Sequence, residues 1–579
     1  IDANAMYYIP SRETEGYGMN KNAVDKLNER GIKLIITVDN GIAAAQEVEY
    51  ASSLGIDTVI TDHHMPSGEL PKACAVVDLH REDCKSRFKN LSGVGVAFKL
   101  IMALEGEYCD TTTLLENYSD LLSIGTIGDV VELKDENRVF VKHGLESITN
   151  TDRPGLQALI KDSGLTGKAI SSTNVSFTIV PRINAAGRLG LSEKSVSLLL
   201  TEDYEEADEI SSQLCCDNSE RQEIERDILE KIDEIIRRKP SLVNDKIIVI
   251  DGENWHQGVI GLIAAKVKEA YGKPAIVISK LGGTAKGSGR SVEGFPLCDA
   301  VFACSDLLTH RGGHPMAVGL SLDPENIPAF RKKINEFADN FGKMPYDKIN
   351  IDCKLNPAYI NFDLLDSLSL MQPYGAGNPT PVFGLYNMTL RNITPLSGNK
   401  HLRLTLLRGN TQITAMKFFT STEEFPYKIG ETLDLAVNLD RNEFNGNVSV
   451  SVIVRNIKSS DCDTEKLLDS RTNYEDFCRG KQLDSSQLSD LMPDRNDFAL
   501  LYRYLKNNSG YAFDTAILPH MLDNRLSFGK IKVILEAMRE LGLIEFSDGM
   551  KTSGISVLHV NGKVSLESAP IIRKLREVF

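Results

Sequence analysis

Acidic and imidazole side chains follow short apolar runs near the start of the chain. They are Asp39 after KLIITV (33–38), Asp62, His63 and His64 after DTVIT (57–61), and Asp129 within IGTIGDVV. Three carboxylates with two imidazoles at one place would bind Mn²⁺ or Mg²⁺, because hard oxygen ligands with a few histidines favour those ions over zinc. Two such ions can activate a water and stabilise the oxygens of an in-line phosphoryl displacement. The residue types therefore predict a metal-dependent phosphoesterase centre.

The runs before these side chains are predicted to be strands of a parallel sheet. KLIITV, DTVIT and CAVV (74–77) alternate with helical patterns, which is typical of parallel strands buried on both faces. Ligands of such sheets bind at the carboxyl ends of the strands, so we expect the acids to meet at one edge.

A single Asp after a strand can instead cap the next helix. For Asp39 and Asp129, taken alone, both interpretations stay open. For Asp78, which follows CAVV, we favour the cap. The consecutive Asp62, His63 and His64 favour function, because capping needs one residue rather than three adjacent potential ligands.

The rest of the chain divides by pattern into a long helix, a second α/β unit, a β-rich unit and a helical tail. Residues 194–238 are charged and helical, and residues 246–279 form a strand–helix–strand pattern. Short alternating strands between 345 and 458 predict a small β-barrel. From about residue 466, helices precede a hairpin-like end.

Composition excludes several classes of protein. The 579 residues contain no apolar run of membrane-spanning length and no signal peptide, which leaves the cytoplasm as the expected location. The ten cysteines include no C-x-x-C pair, which argues against a disulfide framework or a zinc ribbon. The net charge of −15 argues only weakly against nucleic acid, because basic residues can still line one groove.

Several motifs resemble those of the RecJ exonucleases of the DHH phosphoesterase superfamily. VDNG, TDHH and GTIGDVVEL match that family's second, third and fourth motifs in order and approximate spacing, and other segments agree: IPSRETEGYGMN, PRINAAGRLG, GSGRSVEGFPL, RGGHPMAVGLSL and YGAGNPTPVF. The resemblance implies an α/β fold with these parts: a parallel-sheet DHH domain (1–193), a connecting helix (194–240), a smaller α/β DHHA1 domain (241–343), an OB-fold β-barrel (344–458) and a C-terminal helical, winged-helix-like region (466–579).

The resemblance also implies the activity and the residues that carry it. The activity would be 5′→3′ hydrolysis of single-stranded DNA to mononucleotides in repair and recombination. Asp39, Asp62, His63 and Asp129 would bind the metals, and His64 would ligate or sit beside the scissile phosphate. The family's first motif, an Asp-x-Asp, is expected upstream of Asp39. No such pair occurs there, so we expect the sequence to start after it, without two metal ligands.

Substrate contacts follow from the same resemblance. Those in the DHHA1 domain, facing the metals across a cleft, would be Arg290 and Ser291 after a Gly-Ser-Gly turn, and Gly313 and His314 in a second turn. Those elsewhere would be Arg12, Arg182, Arg188, Lys400, His401 and Arg403. Without the resemblance, we favour a surface ion pair for Arg290 and an ordinary turn at Gly313, whereas for Lys400, His401 and Arg403 a solvated strand face and a DNA contact both stay open.

Two other functions remain open at the level of sequence. One is another DHH phosphoesterase, acting on oligoribonucleotides or a cyclic dinucleotide; such proteins typically lack an OB-fold. The other is a catalytically inactive replication scaffold, against which the intact TDHH argues. Expected partners are single-stranded DNA and either a single-strand-binding protein or a helicase, with no membrane.

Overall fold

The computed structural model of the chain describes residues 4–10, 18–66, 68–106, 110–444, 447–508, 512–547, 549–550, 553–560 and 564–578. The chain forms two compact units, one of residues 1–223 with 366–380 and the other of residues 224–365 with 381–579. The predicted substrate contact Arg12 lies outside the described residues. Within them, no helix is long and apolar enough to cross a membrane.

The first unit contains a parallel sheet of β1 (Leu34–Val38), β2 (Asp57–Asp62) and β3 (Ala75–Asp78), in that order. The predicted parallel sheet is confirmed, and its carboxyl ends share one edge. Burial on both faces is wrong for β1, because alternate side chains of this edge strand, Leu34, Ile36 and Val38, are exposed in the part of the chain that is described.

Helices pack around this sheet and form a separate apolar core beyond it. Their bounds are Lys21–Glu29, Ala45–Ser53, Gly93–Glu105, Thr111–Gly128, Asp135–Thr149, Pro154–Asp162, Ser172–Asn174, Val180–Arg188 and Ser192–Leu200, with a π-helical turn at Val175–Ile179.

The predicted connecting helix is shorter than its pattern suggested. It runs over Tyr204–Arg238 and is separated from the helix ending at Leu200 by an extended Thr201. The break has a local cause, because the Asp203 carboxylate accepts hydrogen bonds from the amides of Glu205 and Glu206, as an N-cap does.

The second unit contains a five-stranded sheet in the order β4-β5-β6-β8-β7: β4 (Ile248–Glu253), β5 (Ala275–Leu281), β6 (Thr284–Arg290), β7 (His310–His314) and β8 (Ala317–Leu322). β4 and β5 are parallel and joined through the helix Ile260–Tyr271, so the predicted strand–helix–strand unit is confirmed. Further helices are Leu297–Phe302 and Ile327–Phe341.

The predicted Gly-Ser-Gly turn is wrong, because Gly287 and Gly289 lie inside β6. A Cβ on Gly287 would come within 2.8 Å of Leu320, and one on Gly289 within 2.7 Å of Val318. These glycines therefore allow close packing within a sheet. The second predicted turn is also wrong, since residues 310–314 form the exposed edge strand β7.

The predicted β-barrel is confirmed. Its strands are β10 (Phe383–Leu396), β11 (His401–Arg408), β12 (Thr411–Lys417), β13 (Thr432–Phe444) and β14 (Asn447–Ser459), with a short β9 (Cys353–Lys354) beside β10. The order β11-β12-β14-β13-β10 is closed by pairing of β10 with β11. The helix Phe362–Ser369 precedes the barrel along the chain.

The C-terminal residues form helices around one apolar core. The predicted hairpin is present, but a further helix, Pro570–Val578, follows it, so a hairpin-like end is wrong. The helices are Thr464–Cys478, Ser485–Leu491, Arg495–Asn507, Leu518–Met521, Phe528–Glu540 and Pro570–Val578. The strands β15 (Ala512–Phe513), β16 (Ile544–Ser547) and β17 (Ser553–Val557) form an antiparallel sheet in the order β15-β17-β16.

Candidate functional site

The carboxyl edge of the parallel sheet brings together side chains from three elements. Asp39 follows β1 with a left-handed backbone (φ 63°), and its amide donates a hydrogen bond to the Thr61 carbonyl at 3.0 Å. His63 follows β2 directly. Asp129 comes from a different kind of element, because it is the C-terminal cap of the helix Thr111–Gly128. A helix end thus delivers the third side chain to the edge that the strands define.

His63 lies between two carboxylates. Its Nε2 is 3.0 Å from Asp39 Oδ1 and 3.3 Å from Asp129 Oδ2. One potential ligand atom from each of Asp39, His63 and His64 lies within 4.8 Å of the others. The donor set of carboxylate oxygens and imidazole nitrogens fits a hard divalent cation such as Mn²⁺ or Mg²⁺.

The charges at this cluster are dominated by the carboxylates. Burial opposes protonation of His63, but its hydrogen bond with Asp39 and the charge of Asp129 outweigh burial and raise the pKa of the imidazole. Burial raises the pKa of the Asp129 carboxyl, although His63 opposes that shift. A divalent cation would neutralise this excess of negative charge.

Asp62 contacts the loops that follow β1 and β2. Its side chain is 1% exposed. Its carboxylate accepts hydrogen bonds from the amides of Ile42, His63 and His64. Its Oδ1 also lies 2.6 Å from His64 Nδ1. Burial opposes ionisation of Asp62, but these hydrogen bonds outweigh it and lower the pKa of the carboxyl. Asp62 therefore braces the Asp-His-His segment, and its binding of a metal stays a prediction.

The side chain of Asp78 is not a helix cap, so that interpretation is wrong. Asp78 ends β3, and its Oδ1 accepts from the amide of His80 at 2.7 Å in a turn. Its Oδ2 is buried without a hydrogen-bond partner among the described residues. Burial raises the pKa of Asp78, as does the negative charge of Asp62, which is its register partner on β2.

Gly93 was missed by sequence reasoning. It is the first residue of the helix Gly93–Glu105, whose N-cap Ser92 accepts from the amide of Gly95. A Cβ at Gly93 would lie 2.5 Å from both Cβ and Cγ of Asp39. Because residue 93 has no side chain, the Asp39 carboxylate can lie against the start of this helix. In the sequence, only the small residues of Ser-Gly-Val-Gly indicate such a close approach.

An exposed apolar surface beside Asp129 was also missed. Val130 has a left-handed backbone (φ 60°), which is a genuine outlier for a β-branched residue. Val130, together with Phe177 in the π-helical turn and Tyr374, lines a cavity of about 180 Å³ in the first unit. π-Helical turns are frequent at functional sites.

Among the described residues, the predicted contacts of the first unit, Arg182 and Arg188, lie on one helix, Val180–Arg188. Arg182 donates from Nη1 to the Thr178 carbonyl at 2.7 Å, and its Nε is buried without a hydrogen-bond partner among the described residues. Arg188 is the last residue of the helix.

The predicted contacts of the second unit have different surroundings from one another. Arg290 donates to Ser288 Oγ and to the Gly289 carbonyl, and burial lowers its pKa. Ser291 is buried and donates to the Phe295 carbonyl. His314 is exposed at the end of β7, where the preceding Gly313 has φ 139°.

The predicted contacts of the barrel lie at the start of β11. His401 and Arg403 point away from the interior, since the intervening Leu402 and Leu404 are buried inside it. Lys400, in the loop before this strand, is exposed.

Comparisons with known proteins agree on one family. The models of three families match the chain: the DHH family N-terminal domain over residues 1–126, the DHHA1 domain over 244–340 and the RecJ OB domain over 351–456. The single-stranded-DNA-specific exonuclease RecJ of Bacillus subtilis is 36% identical over 479 residues, covering 82% of this chain and 60% of the relative. That of Escherichia coli is 33% identical over 478 residues, covering 79% and 82%.

Solved structures give the same result. RecJ from Thermus thermophilus in complex with Mn²⁺ matches with a TM-score of 0.67 and 30% identity, over 76% of this chain and 64% of that one. The Mg²⁺ complex matches with a TM-score of 0.59 and 26% identity, over 76% and 70%. The chain thus spans a little under two thirds of the length of the Bacillus relative and of the Mn²⁺-bound structure.

Proposed function

The chain belongs to the RecJ family of single-stranded-DNA-specific exonucleases, and from that premise we propose that it is a metal-dependent 5′→3′ exonuclease that hydrolyses single-stranded DNA to mononucleotides. One observation carries the proposal: His63 Nε2 lies 3.0 Å from one carboxylate and 3.3 Å from another at the carboxyl edge of a parallel sheet. A divalent-cation site requires several ligand side chains that converge from separate elements, and a histidine with no such role would not be expected between two carboxylates.

Asp39, His63 and Asp129 would hold the cation, with Asp62 as a further ligand, and the Mn²⁺ and Mg²⁺ complexes of the Thermus relative support those two ions. When bound, a divalent ion supplies Lewis-acid stabilisation of charge on the phosphoryl oxygens. The hydrogen bond and the charge of Asp62 raise the pKa of His64, although burial opposes this, and the same hydrogen bond holds the imidazole in one orientation. When protonated, His64 Nε2 would donate to an oxygen of the scissile phosphate.

Further residues would bind the rest of the strand. Guanidinium groups bind phosphate oxygens in a bidentate manner. Among the described residues, Arg290 donates only to Ser288 Oγ and the Gly289 carbonyl, and no carboxylate pairs with it. The buried Ser291 would act only by shaping its loop. The remaining proposed contacts are Arg12, Arg182, Arg188, Gly313, His314, Lys400, His401 and Arg403.

The boundaries of the domains stay a proposal, with the connecting helix itself at Tyr204–Arg238. The barrel argues against a phosphoesterase without an OB-fold, and the intact cluster around His63 argues against an inactive scaffold. We propose action on chromosomal DNA in the cytoplasm during repair and recombination, with a single-strand-binding protein or a helicase as partner.

The test is cleavage of 5′- and 3′-labelled single strands by the protein expressed from its native gene, with Mn²⁺. We expect labelled mononucleotide from the 5′-labelled strand at once, and progressively shortened strands from the 3′-labelled one. His63→Ala should lower the rate about 10³-fold or more. The matched control is His143→Ala, which removes an exposed histidine of the helix Asp135–Thr149. A parent protein that binds single strands but cuts none with any divalent ion would refute the proposal.

A further inference from the structure

The segment at the end of the helix Phe362–Ser369 belongs to a different unit from its neighbours in sequence. Residues 366–380 group with the first unit, although the residues before and after them, 224–365 and 381–579, group with the second. The segment contains most of YGAGNPTPVF, and the ligands and substrate contacts proposed above all lie outside it. We call residues 370–378 the strap.

The strap is closed by its own hydrogen bonds. Gly375 and Asn378 exchange both backbone hydrogen bonds, with N–O distances of 2.9 and 3.2 Å. The Asn378 side chain donates from Nδ2 to the carbonyls of Met371 and Pro373, at 2.8 and 2.9 Å. Because one asparagine joins the two ends of the strap, the segment has a defined shape where it contacts the rest of the first unit.

Alternate carbonyls of the strap accept hydrogen bonds from other elements of the first unit. These bonds run from Arg138 Nη2 to the Gln372 carbonyl at 2.9 Å, from Ser172 Oγ to the Tyr374 carbonyl at 2.6 Å, and from the Leu133 amide to the Ala376 carbonyl at 2.7 Å. Backbone polar groups removed from water need such partners. The strap is therefore bonded along its length, and its last bond reaches the loop that follows Asp129.

The loop between Asp129 and Leu133 sets the position of a proposed metal ligand. Asp129 caps the helix Thr111–Gly128, and its Oδ2 lies 3.3 Å from His63 Nε2. The next residue, Val130, has φ 60°, which a β-branched residue keeps only where the surrounding structure holds it. Leu133, three residues further on, is 2% exposed. A contact that fixes Leu133 therefore also limits the positions open to Asp129.

Two glycines of the strap lie directly against this loop. A Cβ at Gly375 would come within 2.6 Å of Leu133 Cδ1, and one at Gly377 would come within 2.9 Å of Glu132 Cβ. Ordinary contact begins at 3.4 Å, so a larger residue at either position must displace the loop or the strap. Glycine allows this close approach because it has no Cβ.

We propose that the strap is a positioning element of the metal centre. Its Ala376 carbonyl holds the Leu133 amide and its two glycines pack against the loop, so that the Asp129 carboxylate is directed toward His63. The inference rests on the proposed function and deepens it, because it adds residues that act through a metal ligand without binding the metal themselves.

The first test is Mn²⁺ titration of full-length Gly375→Ala by electron paramagnetic resonance. The variant should bind Mn²⁺ about tenfold more weakly, as expected when a group that orients a ligand is disturbed. Its kcat should fall while KM for a single-stranded oligonucleotide is unchanged, because the change acts on the metal ligand and not on the bound strand. Adding Leu133→Val, which removes the Cδ1 atom nearest the new methyl group, should restore Mn²⁺ affinity.

Gly377→Ala and Gly164→Ala form a matched pair of variants. Both glycines have φ 69°, so alanine imposes the same backbone strain at each position. The new methyl group meets the loop only at residue 377, since a Cβ at Gly164 would find no described atom within 4 Å. Gly377→Ala should therefore weaken Mn²⁺ binding about tenfold, and Gly164→Ala should leave it unchanged.

Hydrogen exchange of the metal-free protein provides a readout that needs neither metal nor cleavage. The bond from the Leu133 amide to the Ala376 carbonyl should protect residues 129–134 in the unsubstituted protein, and Gly375→Ala should speed their exchange. The helix Asp135–Thr149 should exchange as before, which distinguishes a displaced loop from a general loss of structure.

The proposal is overturned if Gly375→Ala and Gly377→Ala bind Mn²⁺ as tightly as Gly164→Ala does. It is also overturned if exchange rises throughout the first unit, because the strap would then serve only the stability of the fold. An unsubstituted protein that neither binds Mn²⁺ nor cuts DNA would refute the proposed function itself, so the two failures are distinguishable.

Discussion

Replacing Gly93 by alanine perturbs the metal centre through one methyl group. The added Cβ would lie 2.5 Å from Cβ and Cγ of Asp39, whereas ordinary contact begins at 3.4 Å. Asp39 must therefore retreat by about 1 Å, since a packed interior has no spare room at the helix start. Its side chain is 46% exposed, so it can move outward without disturbing the fold.

The expected magnitude follows from that displacement. A shift of about 1 Å in a catalytic group costs on the order of 10²-fold in rate. Stability should not fall by the same measure, because the half-exposed Asp39 side chain can move outward and alanine is a better helix former than glycine. Gly93→Ala should thus unfold at nearly the same temperature as the unsubstituted protein. Its rate of Mn²⁺-dependent cleavage and its affinity for Mn²⁺ should both fall.

The assay compares Gly93→Ala with Gly95→Ala in the same helix. A Cβ at Gly95 would come no closer than 3.3 Å to Ser92 Oγ, so that variant should keep near-parental activity. Single-turnover cleavage, Mn²⁺ titration by electron paramagnetic resonance and thermal unfolding are measured on each. Full Mn²⁺ affinity and full activity in Gly93→Ala would refute the role given to this glycine. A large loss of stability would show that the displacement spreads beyond Asp39.

Three further predictions concern stability, substrate and metal. Glu475→Gln removes the carboxylate that lies 2.8 Å from the buried Lys273 ammonium, and it should lower the free energy of unfolding in urea by about 3 kcal/mol. The control is Asp469→Asn, which breaks an exposed ion pair and should lower it by about 0.5 kcal/mol or less. Burial opposes ionisation of Glu475, but the charge of Lys273 outweighs it and holds the pKa of the carboxyl below its ordinary 4.5. The stabilisation by this pair is therefore present above about pH 4.5 and is lost as the pH falls below it. If Glu475→Gln and the unsubstituted protein differed in unfolding free energy as much at pH 3 as at neutral pH, this account of the pair would be contradicted. Arg290→Gln should weaken binding of every single strand alike and lower the salt slope by about 0.7, while Arg238→Gln, at an exposed helix end, should not. EDTA should abolish cleavage and Mn²⁺ restore it, and cleavage that persists in EDTA would exclude a metal-dependent mechanism.

The sequence predicts the location of the site because the alternation of apolar runs with helical patterns, which a local pattern shows, indicates parallel strands. Apolar runs that end in Asp39 and Asp62 must deliver both to one edge once the strands are parallel. His63 follows from the same argument.

Other features depend on contacts that a pattern does not contain. The contact of His63 with Asp129 and the space that Gly93 leaves for Asp39 are set by packing between segments distant in sequence. The glycines at 287 and 289 resemble a turn in any window of sequence, and only the neighbouring strand explains them. Likewise, alternation along β12 gives no sign that Phe419 is exposed, because it lies just beyond the last residue of the strand.

The most direct test of the metal centre is an anomalous difference map from crystals of the protein grown with Mn²⁺. We predict a peak within about 2–2.3 Å of ligand atoms of Asp39, His63 and Asp129, and its loss in His63→Ala crystals that otherwise superpose. A Mn²⁺ peak elsewhere in the molecule, with none at this edge of the sheet, would contradict the account.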